Sequence, residues 1–105
     1  MSNVFSFVGT IGRDSELKHT QSGASILTFT VANNVGFGDR QKTNWVRVNM
    51  WGERGVKLQE YTKKGQQVFC SGELSQSEFT AKDGTGKTAL ELNANVIDLV
   101  GKREQ

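Results

Sequence analysis

The chain has no proline, one cysteine, one histidine and no apolar run long enough to span a bilayer. Each shortage excludes something. A lone cysteine, Cys70, allows neither an intramolecular disulfide nor a four-cysteine zinc site. Its setting, "QVFCSG", reads as a strand interior, where a thiol acts as a small buried hydrophobe. His19 sits in a polar turn, distant in sequence from Cys70, so no triad and no metal site is expected around it. Charge of one sign is also scarce. The 13 basic and 11 acidic residues leave a net +2, which is compatible with an anionic partner without implying one. The start, "MSNVFSFVGTIGRDSE", lacks the basic and apolar regions of a signal peptide, so a cytoplasmic location is expected.

What remains is a small globular composition: 105 residues, 35% hydrophobic and 23% charged, with 12 glycines. That length predicts one domain over 1–105 with a single modest core. Apolar and polar positions alternate between glycine-containing or polar turns, the mark of short strands. "VFSFVGTIG" (4–12) is the first, with glycines 9 and 12 marking a bend or bulge. "SILTFTVAN" (25–33) is the second, with Leu27, Phe29 and Val31 inward, after a turn at "HTQSG". A long polar loop, "NVGFGDRQKT", leads to the third strand, "NWVRVNMW" (44–51). One helix is expected at roughly 53–64, where Leu58 and Tyr61 share a face and Val56 does not; Lys63 and Lys64 precede Gly65. The fourth strand begins at "QQVFCSGEL" (66–74), runs on through "SQSEFTA", and turns at "KDGTGK" into "TALELNANVIDLV" (88–100). There Leu90, Leu92, Ala94 and Val96 are expected inside. Five strands with one helix between the third and fourth are the elements of an all-β OB-fold, a partly open five-stranded Greek-key barrel. A β-sandwich competes, but its seven strands fit poorly in this length.

The third strand raises the functional question. Val46, Val48 and Met50 form an ordinary core face. Trp45, Arg47, Asn49 and Trp51 share the other face, so both tryptophans stand on the polar side. They can pack under a loop, lie in a subunit interface, or form a platform for stacked bases. Two loop aromatics favour the platform. Phe37 lies between the second and third strands with Arg40 and Lys42 nearby. Phe79 lies near the last hairpin's tip with Lys82 and Lys87. In an OB-fold these loops flank the face that takes oligonucleotides or oligosaccharides. The bland alternative for each loop phenylalanine is a minor packing contact.

An enzymatic decoy, "GTGKT" (84–88), imitates the end of a phosphate-binding P-loop. Ala81 stands where that motif needs its first glycine, and the segment reads as a hairpin turn without a following helix. Acidic residues such as Glu53 and Glu60 read as helix surface charges. No catalytic constellation, cofactor site or metal site emerges, and the chain is not expected to be an enzyme.

The stretches "VGTIGRDSELK", "TNWVRVNMWG", "YTKKGQQVFCSGEL" and "LNANVIDLVG", in this order and spacing, resemble the bacterial single-stranded DNA-binding protein family over almost the whole chain. The resemblance implies an OB-fold, usually a homotetramer although a dimer is possible, that wraps single-stranded DNA without sequence preference in replication, recombination and repair. The family's stacking aromatics carry over to Phe37, Trp45, Trp51 and Phe79. Of its basic contacts Arg40, Arg47 and Lys64 have counterparts; with Arg13, Lys42, Lys82 and Lys87 they make up the expected phosphate contacts.

Departures accompany the match. Glu53 and Glu78 fall where many members carry lysine, which weakens phosphate neutralisation locally. Val46 replaces a histidine that supports subunit contacts in members, and Ser15 replaces a proline, read as a minor change to a turn. Members usually continue into a flexible tail with an acidic tip that recruits other proteins, whereas this sequence stops at "VGKREQ": it is either a truncated or a naturally short form, and only in the second case is tail-mediated recruitment absent. Rival readings are a replication-restart accessory OB-fold that mainly binds proteins, a cold-shock-like RNA-binding domain, and a toxin-type sugar-binding OB-fold. Four retained aromatics favour wrapped DNA over the first. The absence of a secretion signal and of a disulfide disfavours the last.

Overall fold

Leu27, Phe29 and Val31 are buried opposite Met50, Val48 and Val46, their register partners on the neighbouring strand. This double alternation sets the inside of the fold. In the computed structural model, which describes residues 2–101, the chain forms β1 (Phe5–Ile11), β2 (Glu16–His19), β3 (Ser25–Val35), β4 (Lys42–Trp51), α1 (Glu53–Leu58), β5 (Gln67–Thr80) and β6 (Gly86–Val100). The terminal "KREQ" lies outside the described residues.

The strands run in the order β1-β5-β6-β4-β3-β2, and β1 also pairs with β3, so five of them close a ring. Closure is slender: only Thr10↔Ala32 and Ile11↔Val31 pair β1 with β3 in the ladder, helped by Asn33 Nδ2 donating to the Val8 carbonyl at 2.9 Å, and it is a ring of strands without the regularity of a barrel. Gly9 allows the bend, because a β-carbon there would fall 2.5 Å from the Ala32 carbonyl oxygen. Phe7, Ile11, Val68, Cys70, Leu92 and Ile97 complete the core, and Val46 lies wholly within it.

Three expectations change. The five-strand count omits β2, which pairs with β3 through Glu16↔Thr28 to His19↔Ser25 further along the edge that β1 uses. The helix therefore follows the fourth strand, β4, and not the third. Four residues carry no long hydrophobic alternation, so the sequence signal for β2 merges with the turn after it. Second, α1 is shorter than 53–64 and tightens into a 3₁₀ turn over Gln59–Tyr61. Its inward side is Gly55, Leu58 and Thr62, while Tyr61 and Val56 are exposed. Gly55 lets the helix backbone rest on β4, since a β-carbon there would lie 2.6 Å from the Met50 carbonyl oxygen. Third, Val96 faces out and Ile97 faces in. The register between β5 and β6 shifts beside Ser71 and Gly72, which pair with Val96 and Ala94, so the extra residue, Asn95, inverts the alternation.

Ser15 is also more than a minor change. It is buried, its N–H donates to the Thr62 carbonyl at 3.0 Å, and its hydroxyl accepts from Thr62 Oγ1 at 2.7 Å. A proline at that position has no N–H to donate. The neighbouring Asp14 accepts from the Lys64 N–H at 2.8 Å, so residues 12–15 are tied to the segment after the helix.

Candidate nucleic-acid interface

Alternation along β4 turns Trp45, Arg47 and Trp51 outward, with Asn49 buried between Arg47 and Trp51. The facing residues of β3 explain why the Trp45 indole stays uncovered. Trp45 lies opposite Ala32, Arg47 opposite Thr30 and Asn49 opposite Thr28. These are small side chains that leave ring faces open. Trp45 is 56% exposed and Trp51 51%, a large apolar area left in water unless something covers it.

On its other side β4 runs parallel to β6, with Arg47 in register with Glu91 and Asn49 with Asn93. Asn49 Nδ2 donates to Glu91 Oε2 at 3.2 Å. Beyond β6 the β5–β6 arm rises from the ring, and there Phe79 pairs with Lys87 across the arm. Arm and ring enclose a cavity of about 450 Å³ lined by Trp45, Arg47, Phe79, Glu91, Thr30 and Ser77 among others. Arg47 also lines a second, smaller cleft of about 100 Å³ with Arg13 and Lys18, where Asp14 and Glu16 lie as well.

The expected residues are thus only partly gathered. Trp45, Arg47 and Phe79 share one cavity, and Arg13 joins Arg47 in the next. A further cavity of about 730 Å³ along the arm is lined by Phe79, Lys87 and Glu78. Trp51 lies at the far end of β4, opposite Ile26, and lines neither cavity that Arg47 lines. Phe37 stands at the β3–β4 tip, 89% exposed, between Gly36 and Gly38, whose φ values of 80° and 64° suit glycine. Arg40 lies in the 3₁₀ turn over Gly38–Arg40, and Lys42 opens β4 opposite Val35. Lys82 lies in the arm's terminal turn and Lys64 in the loop after α1. All of these lysines and arginines are exposed.

Two residues of the face escape the sequence argument. Lys18 belongs to the short β2 that the alternation does not reveal. Glu91 reads only as an outward polar residue, and its signal is its place three residues after the arm's Thr88, at the level of Arg47 once the parallel pairing is known.

The "GTGKT" segment takes a hairpin geometry. Ala81 N–H donates to the Thr85 carbonyl at 2.9 Å, and Gly84 has φ 87°. Asp83 accepts from the Thr85 hydroxyl and N–H, which together hold its carboxyl below the usual range. The lysine and threonine lie on β6 and not at a helix N-terminus.

A sequence model of the Single-strand binding protein family matches residues 2–100. The Single-stranded DNA-binding protein of Xanthomonas campestris pv. campestris is 35% identical over 101 residues, 91% of this chain and 59% of that protein. Single-stranded DNA-binding protein 1 of Chlorobaculum tepidum is 32% identical over 108 residues, 97% of this chain and 67% of that protein. The chain spans between 56% and 62% of the length of the three relatives from Xanthomonas and Xylella that it matches. The crystal structure of a small single-stranded DNA-binding protein from Streptomyces coelicolor matches with a TM-score of 0.83 over 94% of both chains at 17% identity. That likeness identifies the ring as an OB-fold.

Proposed function

Because this chain belongs to the Single-strand binding protein family, we propose that it binds single-stranded DNA by stacking and charge, without reading sequence overall. Its role on this reading is to cover exposed strands during replication, recombination and repair. The observation that carries the proposal is the convergence of Trp45 and Arg47 from β4 with Phe79 from the β5–β6 arm on one open cavity. Bases stack on Trp45 and Phe79, and further along the strand on Trp51 and Phe37. Stacking of this kind tolerates any base because every base has a π-face.

Arg47, Arg13, Lys42, Arg40, Lys64, Lys82 and Lys87 neutralise phosphates along the same path, displacing condensed counterions. The modest net charge of +2 is compatible with this reading, since Arg13, Lys18 and Arg47 line one cleft and outnumber its carboxylates, Asp14 and Glu16. A homotetramer joins several such paths into one wrapped course. Exposed Val4, Val8 and Val96 support an assembled state, since subunit contacts cover apolar surface of this type. The setting is cytoplasmic, at the nucleoid. Among the described residues no helix is long and apolar enough to cross a membrane.

Anisotropy of a labelled oligothymidylate, titrated at several salt concentrations with duplex competitor, tests the proposal. The expected result is binding that resists duplex and weakens linearly in log salt, by about 0.7 per neutralised phosphate. A folded protein that ignores the oligonucleotide at low salt overturns the proposal and directs attention to protein partners.

A further inference from the structure

Glu91 is out of place on a surface built to attract phosphates. It is partly buried and lines the cavity between Trp45 and Phe79, and no other acidic residue among the described residues lines that cavity. A carboxylate there repels the DNA backbone, so its presence calls for a partner other than phosphate. Asn49 holds it in position. Buried beneath the face, Asn49 donates Nδ2 to Glu91 Oε2 at 3.2 Å. A carboxylate accepts about four hydrogen bonds in all, so the bond from Asn49 leaves capacity for donors arriving in the cavity.

We propose that Glu91 reads base identity in this cavity, favouring guanine at one position of an otherwise sequence-tolerant strand. This rests on the single-strand-binding reading above. A base stacked between Trp45 and Phe79 presents its Watson–Crick edge to the cavity wall, where bases of unpaired strands are read. Guanine carries two adjacent donors there, N1–H and the N2 amine, which match the two oxygens of a carboxylate. Cytosine and adenine each offer one amine beside a ring acceptor. Thymine offers a single N–H flanked by two carbonyl oxygens, both repelled by Glu91. The order of preference at this position is therefore guanine first and thymine last. Arg47, level with Glu91 on the adjacent strand, remains free to meet the phosphate on the outer side.

The test uses oligothymidylates of about 12 nucleotides, within the span of one OB-fold, each with one deoxyguanosine placed at successive positions. Parallel sets carry deoxyinosine, which keeps N1–H and lacks the amine. At one position deoxyguanosine should tighten binding about fivefold over thymidine, the low end for a paired base edge, with a smaller gain for deoxyinosine. Glu91→Gln replaces one acceptor oxygen with a donor and should abolish the preference for deoxyguanosine over thymidine at that position. If oligothymidylate binds but no position favours deoxyguanosine, or if Glu91→Gln keeps the preference, the inference is overturned and the single-strand-binding function stands. If oligothymidylate itself does not bind, both fall. The deoxyguanosine–deoxyinosine comparison needs only the unaltered protein, so it decides the matter even if the variant does not fold.

Discussion

The indole of Trp45 lies across Gly12: a β-carbon built at Gly12 falls 2.9 Å from Cζ3 of the ring. The glycine is the floor on which the tryptophan rests, and its N–H is fixed to the Thr30 carbonyl at 3.0 Å. The break between β1 and β2 thereby sets the pose of a residue on β4.

Gly12→Ala should therefore act on Trp45 more than on the fold. The ring must swing away from the new methyl group, while the backbone bond to Thr30 survives. The expected outcome is altered tryptophan emission and weaker oligothymidylate binding, with a melting temperature close to the parent's. A large fall in melting temperature with unchanged binding would show that the contact is structural.

Trp45→Ala should cost about 1–3 kcal/mol of binding per contacted base, the contribution general to single-strand-binding proteins. The side chain is half-exposed and its removal opens no cavity in the core. Thermal unfolding of the variant checks this. Loss of folding would move Trp45 from the binding face into the core.

Arg47→Ala should reduce the salt dependence of binding, lowering the slope of log affinity against log salt by about 0.7 for one lost phosphate contact. Arg47 is the cation shared by both cavities on the face, so its effect should exceed that of Lys82 at the arm's tip. Equal slopes for Arg47→Ala and the parent would remove Arg47 from the phosphate path.

Gly72→Ala should destabilise the protein by about 1–3 kcal/mol, the usual cost of forcing extra volume into a packed site. Gly72 is buried at the β5–β6 irregularity, and a β-carbon there would collide with the Asn93 carbonyl oxygen. Denaturant unfolding measures the cost. A neutral result would mean that the bulge relaxes without loss.

Burial pushes the Cys70 thiol up from 9.0 to about 12. The folded state thus holds the proton that the unfolded chain releases near pH 9. This contribution to stability is complete below about pH 9 and is lost as the pH climbs toward 12. Cys70→Ala should flatten that alkaline decline in a series of denaturant melts, and alkylating reagents should label native Cys70 only on unfolding. Rapid labelling of the folded protein at pH 8 would contradict the buried placement.

The alternating strands were the legible part of this fold. Leu27, Phe29 and Val31 and, on β4, Val46, Val48 and Met50 stand inside as their spacing requires, because a two-residue period needs only local information. What failed depends on partners distant in the chain. The bulge that puts Ile97 in place of Val96 is set by pairing with β5. The four residues of β2 become a strand only by joining the free part of the β3 edge. The candidate face divides in the same way. Trp45 and Trp51 declare themselves by standing on the polar side of a strand. The role of Glu91 becomes visible only when the parallel pairing of β4 with β6 sets it level with Arg47.

The central claim is that the outward tryptophans are a base-stacking platform, and intrinsic fluorescence reports on both of them directly. Titration with a long oligothymidylate at low and high salt, with duplex DNA as control, is the decisive measurement. The account predicts strong quenching by the single strand that weakens with salt and is absent with duplex. Unchanged emission and no binding would mean that Trp45 and Trp51 cover protein, and the platform reading would be wrong.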